Sequence, residues 1–173
     1  MADRGLTGVL LVGGASTRFG SPKALARLDG RTLAEIGWET LAFCDERIAL
    51  GKSADGLDLP FPLVDDGIDV RASIAGVVAG LRAAAYELSV VLPVDTPRIT
   101  REALLRLADA CKDAAVPQTG PLPGAYRRTA LPVLEQALSA GRLSLREALA
   151  GLDTLVVDVE PDLLLNVNTP DDL

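Results

Sequence analysis

The chain has 173 residues, 49 % hydrophobic and only 3 % aromatic, with a formal net charge of −7 and no histidine. This is the composition of a globular protein rather than a disordered one. The acidic balance argues against nucleic acid as a partner, because a DNA-binding face carries a basic excess.

The missing histidine removes Ser-His-Asp and Cys-His catalysis, the usual zinc sites and imidazole base chemistry. Carboxylates, cations and a hard metal such as Mg²⁺ remain. The length is that of one domain, and no apolar run is long enough to span a membrane. Cys44 and Cys111 form no CxxC pair and residues 1–5 (MADRG) carry no signal-peptide pattern, so both are predicted to be reduced, mostly buried thiols of a cytoplasmic protein.

Residues 7–12 form an apolar, strand-like run that breaks into Gly13-Gly14 and a polar segment holding Arg18, Gly20 and Lys23. A buried strand emptying into a glycine-rich loop with two cations suits a phosphate cradle. Glycine lets backbone N–H groups approach the anion, and Arg and Lys supply charge. The plainer alternative is an ordinary strand-to-helix turn. The loop fits neither GxxxxGK[ST], since Ser21 follows Gly20, nor GxGxxG, since its first glycines are adjacent. A P-loop NTPase and a dinucleotide-binding dehydrogenase are thereby demoted.

Further along, Asp29-Gly30 ends a short apolar piece, and Thr32 with Glu35 predicts a capping box opening a helix to about residue 43. The sequence leaves Trp38 undecided between core and surface. A short strand is predicted over 47–50. Residues 51–69 hold three glycines and two prolines, too long for a simple connection and therefore either functional or mobile. Asp65 and Asp66 are read there as solvated acids. Helical spacing follows over 73–87, with Gly76 and Gly80 placed for close packing.

Residues 89–92 read as a buried strand, and Asp95 follows within PVDTP. A carboxylate just past the C-terminal end of a central strand lies where open α/β sheets bind ligands, unless it merely begins a turn. Helices are predicted over 100–111, 132–140 and 145–152, the last with a second capping box at Ser144 and Glu147. Strands are predicted over 114–117, around Tyr126 and over 154–159. Strands alternating with helices give an α/β fold with a mainly parallel sheet covered on both faces.

The segment 11–20, LVGGASTRFG, followed by Lys23, resembles the LAGGxSxRMGxxK signature of the sugar-nucleotide type of nucleotidyltransferases, and within it the molybdenum cofactor guanylyltransferases. LPVDTP (92–97) is similar to the strand-end CDxP segment, PLPGAYRR (121–128) to PLxALYRR, and NVNTPDDL (166–173) to the terminal NxNTPxDL. The resemblance implies a three-layer α/β/α, Rossmann-like sandwich and transfer of GMP from GTP to the terminal phosphate of molybdopterin, releasing pyrophosphate.

By carry-over, Leu11, Val12 and Gly13 contact the nucleotide through their backbone. Gly14, Ser16, Asp69 and Gly76 also belong to the nucleotide site. Arg18 and Lys23 serve the phosphates, Asp95 holds Mg²⁺, and Asn168 lies near the metal or the pterin phosphate. The resemblance leaves open a monomer or weak homo-oligomer, and a molybdoenzyme or chaperone as delivery partner. Alternatives are a cytidylyltransferase of the same fold and a silent nucleotide-binding protein. The chain departs from the family pattern at Ser21-Pro22, at Gly51-Lys52-Ser53 and at Arg71-Ala72-Ser73-Ile74, which bears on base and acceptor specificity more than on reaction type.

Overall fold

Strand β1 (Leu6–Leu11) is buried at every position, as a central parallel strand covered on both faces must be. The computed structural model describes residues 5–13 and 21–173. After β1 come a two-residue hairpin, β2 (Arg27–Leu28) and β3 (Arg31–Thr32), then α1 (Leu33–Thr40), β4 (Glu46–Gly51), β5 (Leu63–Asp65) and α2 (Ser73–Ala83). The second half holds β6 (Leu88–Pro93), α3 (Arg101–Ala110), β7 (Ala114–Pro117), β8 (Gly124–Arg127), α4 (Leu131–Ser139), α5 (Leu145–Ala148) and β9 (Thr154–Val157).

Seven strands form one sheet in the order β5-β4-β1-β6-β8-β7-β9. All neighbours pair in parallel except β8, which runs antiparallel to both β6 and β7. The expected mainly parallel α/β sandwich is therefore what the chain adopts.

Side-chain alternation along β1 divides the interior. Leu6, Leu10 and Val12 join a core with Leu33 and Ile36 of α1 and Leu104 and Leu107 of α3. Val9 and Leu11 join the opposite core with Ile74, Val77 and Leu81 of α2 and Leu134 of α4. A period of two against helical faces of period 3.6 produces these two layers. The helix α2 lies close on β1, because a Cβ at Gly76 would meet Leu11 Cδ2 at 2.8 Å and one at Gly80 would meet Val9 Cγ1 at 2.9 Å.

The Thr32–Glu35 capping box forms in full, with Thr32 Oγ1 accepting from Glu35 N–H and the Glu35 carboxylate accepting from Thr32 N–H. At α5 only half of the predicted box forms: Ser144 Oγ accepts from Glu147 N–H at 3.2 Å. That helix is one turn long and passes into a 3-10 turn, Leu149–Gly151.

Three boundaries shift. α1 gives way to a 3-10 turn at Leu41–Phe43, α2 ends at Ala83, and β9 stops at Val157. The predicted loop over 51–69 contains an edge strand, β5, too short and exposed for periodicity to reveal. Trp38 is half-buried and stacks on Phe61, centroids 4.4 Å apart.

Candidate active site

β1 lies between β4 and β6, and the chain crosses to opposite sides of it. This is a topological switch point, where open α/β sheets form a crevice at the carboxyl ends of their strands. A cleft of about 360 Å³ opens there. Its floor is Leu11 at the end of β1, Gly13 just past it, and Leu50 and Gly51 from β4. Lys23, Pro93 and Asp95 line one side; Lys52, Asp66, Arg71 and the first turn of α2 through Gly76 line the other.

On the first side, Lys23 Nζ stands 3.8 Å from Asp95 Oδ2, with side chains 20 % and 30 % exposed. The turn that aims Asp95 is braced twice. The buried Thr96 hydroxyl lies 3.3 Å from Asp95 Oδ1 and 3.4 Å from Asn166 Oδ1. Val167 N–H donates to the Asp95 carbonyl at 2.8 Å.

The closing segment is thus tied to the strand end. Asp172 accepts from the N–H groups of Asn168 and Thr169 at 2.8 and 2.9 Å. These two bonds hold the Asp172 carboxyl below its ordinary range, and the Lys23 ammonium adds to the effect. Asn168 is exposed and sits one residue beyond the link to Asp95.

On the second side, Lys52 Nζ reaches Asp66 Oδ1 at 2.6 Å and also donates to the carbonyls of Ile68 and Val70. Both charged side chains are largely buried, 13 % and 9 % exposed. The expectation of a solvated Asp66 is overturned: its carboxylate also accepts from Ile68 N–H at 2.9 Å and organises the loop around itself. Asp65 is exposed as expected but bonded. The N–H groups of Ser53 and Gly67, both at 2.7 Å, lower its carboxyl to about 2.

Arg71 forms a two-point pair with Asp55, at 2.6 and 3.2 Å. This pairing lowers the Asp55 carboxyl and raises the guanidinium. At the start of α2, Ala72 offers no side-chain cap and the first turn carries no acid, so the helix presents N–H groups and positive dipole to the cleft.

Of the residues singled out from sequence, Leu11, Gly13, Lys23, Gly76 and Asp95 come together around this cleft. Val12 lies behind its wall, with its N–H donated to Leu50 O at 3.0 Å. Asp69 is exposed and does not line the cleft. Gly14, Ser16 and Arg18 lie outside the described residues.

The arginine pair of PLPGAYRR faces elsewhere. Arg127 pairs in register with Leu88, at the far end of β6 from Asp95, and bonds Cys111 O. Arg128 bonds Glu87 and Ala84 O. From sequence, Lys52 and Arg71 stand out only as departures from the family pattern and Asp66 only as a solvated acid, although Lys52 directly follows the end of a strand beside the switch point, as Asp95 follows another.

The fold and cleft are those of a nucleotide-handling α/β enzyme, and comparison with known proteins narrows this. Residues 8–155 match the family model described as MobA-like NTP transferase domain. The chain belongs to that family. Molybdenum cofactor guanylyltransferase from Desulfosudis oleivorans is 31 % identical, with 97 % of this chain and 92 % of the relative covered. The enzyme of that name from Pseudomonas putida is 35 % identical over 95 % and 94 %.

Among solved structures, molybdopterin-guanine dinucleotide biosynthesis protein A from Archaeoglobus fulgidus superposes with a TM-score of 0.82 at 28 % identity, covering 96 % and 94 % of the two chains. 2-C-methyl-D-erythritol 4-phosphate cytidylyltransferase from Thermus thermophilus shares the fold, with a TM-score of 0.74 at 20 % identity and 95 % and 93 % coverage. Among the described residues no helix is long and apolar enough to cross a membrane.

Proposed function

We propose that the chain is a molybdenum cofactor guanylyltransferase, acting as one nucleotidyltransferase domain over residues 1–173. It transfers GMP from GTP to the terminal phosphate of molybdopterin and releases pyrophosphate. The observation that carries this reading is the Lys23–Asp95 pair, a cation and a carboxylate 3.8 Å apart at the switch point of a MobA-like sheet.

The reaction needs little proton chemistry. A phosphate monoester with a second pKa of about 6 is already largely dianionic near neutral pH. One of its oxygens attacks the α-phosphorus of GTP, the bond from that phosphorus to the β-phosphate oxygen breaks, and pyrophosphate leaves with the electron pair. No imidazole base is called for, which suits a chain without histidine. The protein's task is to neutralise and align the triphosphate. Lys23 lies where it can do so, and the same task is assigned to Arg18.

Mg²⁺ binds through one or two carboxylates together with substrate phosphates rather than in an all-protein cage. The donors fit that mode: Asp95 lines the cleft and offers a carboxylate beside Lys23, where substrate phosphates would complete the shell. In this reading Asp95 holds the ion with Asn168 nearby, and the ion supplies charge neutralisation on the phosphates. Leu11, Gly13 and Gly76, with Gly14 and Ser16 of the loop, complete the nucleotide site; Val12 and Asp69, expected there from the resemblance, do not line the cleft and are left out of it. The reaction is cytoplasmic, the chain a monomer or weak homo-oligomer, and a molybdoenzyme or its chaperone receives the product.

The test is pyrophosphate release with molybdopterin and GTP, CTP or ATP in the presence of Mg²⁺. Release with GTP alone is expected. Release with CTP in place of GTP would make the chain a cytidylyltransferase, and release with none would remove the enzymatic reading.

A further inference from the structure

The two sides of the cleft differ in kind. Lys23, at the start of the 3-10 turn Lys23–Leu25, pairs with Asp95 beyond the end of β6, while Lys52, Asp66 and Arg71 stand beyond the ends of β4 and β5. Neighbouring strands lie about 4.8 Å apart, so β4 and β6 are separated by about 10 Å with β1 between them. A nucleotide with its triphosphate at Lys23 and Asp95 can reach the β4 side with its base across β1. The floor it would cross is poor in side chains, made by Gly13 and Gly51 with Leu11 and Leu50.

Of the charged groups on that side, Lys52 and Asp66 are committed to each other and to the loop backbone. Arg71 differs. It is about half exposed, and its two bonds to Asp55 use two of the five guanidinium N–H donors. Asp55 holds the guanidinium plane while the remaining donors stay available at the cleft wall.

A guanidinium is donor-only, and it pairs in two-point fashion with a purine edge offering two acceptors. Guanine presents O6 and N7. Adenine replaces one of these acceptors with an amino donor, and cytosine has no N7/O6 edge. We infer that Arg71, held by Asp55, is the residue that selects guanine, by donating to O6 and N7 of the GTP base. This rests on the GTP reading above and adds a specificity residue at one of the chain's departures from the family pattern.

The experiment is equilibrium binding of GTP, 7-deaza-GTP and CTP to the wild-type chain and to Arg71→Ala and Arg71→Lys. 7-Deaza-GTP lacks the N7 acceptor and keeps the phosphates and O6. Wild type is expected to bind GTP about tenfold more tightly than 7-deaza-GTP, the effect of one lost hydrogen bond. Arg71→Ala is expected to abolish that preference and to weaken GTP roughly tenfold to a hundredfold. Arg71→Lys is expected to stay close to Arg71→Ala, because an ammonium keeps the charge and loses the fork.

Equal weakening of GTP and 7-deaza-GTP in Arg71→Ala, or full rescue by lysine, would mean a contact to phosphate and overturn the assignment. An unchanged preference in Arg71→Ala would overturn it as well. Failure of wild type to bind GTP at all would instead strike the reading of the enzyme's donor, so the two failures are separable.

Discussion

Replacing Lys52 by methionine removes the cation and leaves Asp66, 9 % exposed, beside two carbonyls that have lost their donor. Breaking one side of a buried ion pair costs about 3–5 kcal/mol because the stranded charge stays desolvated. Asp66 keeps the Ile68 N–H bond, and both ends retain some access to water. We therefore expect about 2–4 kcal/mol of destabilisation. For a chain of this size each kcal/mol moves the melting temperature by roughly 2–4 °C, so Lys52→Met should melt about 5–15 °C lower.

The pair itself contributes little net stability, since its desolvation offsets its attraction. Adding Asp66→Asn to Lys52→Met removes the stranded charge and keeps an acceptor for Ile68. The double variant should regain more than half of the loss. Thermal unfolding of the two single variants, the double variant and wild type closes the cycle. A Lys52→Met protein melting within about 2 °C of wild type, or a double variant showing the sum of the single losses, would refute this account of the loop.

Lys23→Ala and Asp95→Ala should each lower pyrophosphate release by about a hundredfold or more while melting close to wild type, because both side chains are partly exposed at the cleft; near-normal turnover would remove that residue from the chemistry. Burial pushes the Cys44 thiol up to about 12 and Cys111 to about 11, so neither should react with a disulfide reagent at pH 8 until denaturant is added. Rapid native labelling of Cys111 would contradict its burial, and of half-buried Cys44 the suppression of its thiolate. Asp65 has a folded-state pKa near 2, below its ordinary 3.8, so its bonds to Ser53 and Gly67 favour the folded state above about pH 4 and lose effect as pH falls through 2. Asp65→Asn should accordingly differ from wild type in melting temperature at pH 5 and converge with it toward pH 2, and a difference independent of pH would show that the charge is not what matters.

The amino-acid sequence by itself determined the elements whose physics is local. The run 7–12 reads as a buried strand, Thr32 and Glu35 as a helix start, and Asp95 as a carboxylate past a strand end, and the structure has all three. Alternation and capping act over a few residues, so they can be read without the fold. The absence of histidine restricted the chemistry in the same direct way, and Gly76 and Gly80 were recognisable as places where helix and sheet draw close.

Only the tertiary structure decided the second side of the cleft. β5 is three residues long and exposed, so it leaves no periodic trace. Asp66 reads as a solvated acid until Lys52, 14 positions away, folds against it. Arg71 reads only as a departure from the family pattern until Asp55, 16 positions away, pairs with it beside the start of α2. Conversely, the Arg127–Arg128 pair, conspicuous in sequence, is spent on the chain's own carbonyls and on Glu87 at the opposite end of the sheet. Ion pairs and cleft walls depend on which strands lie side by side, and the order β5-β4-β1-β6 is a property of the folded sheet rather than of any single segment.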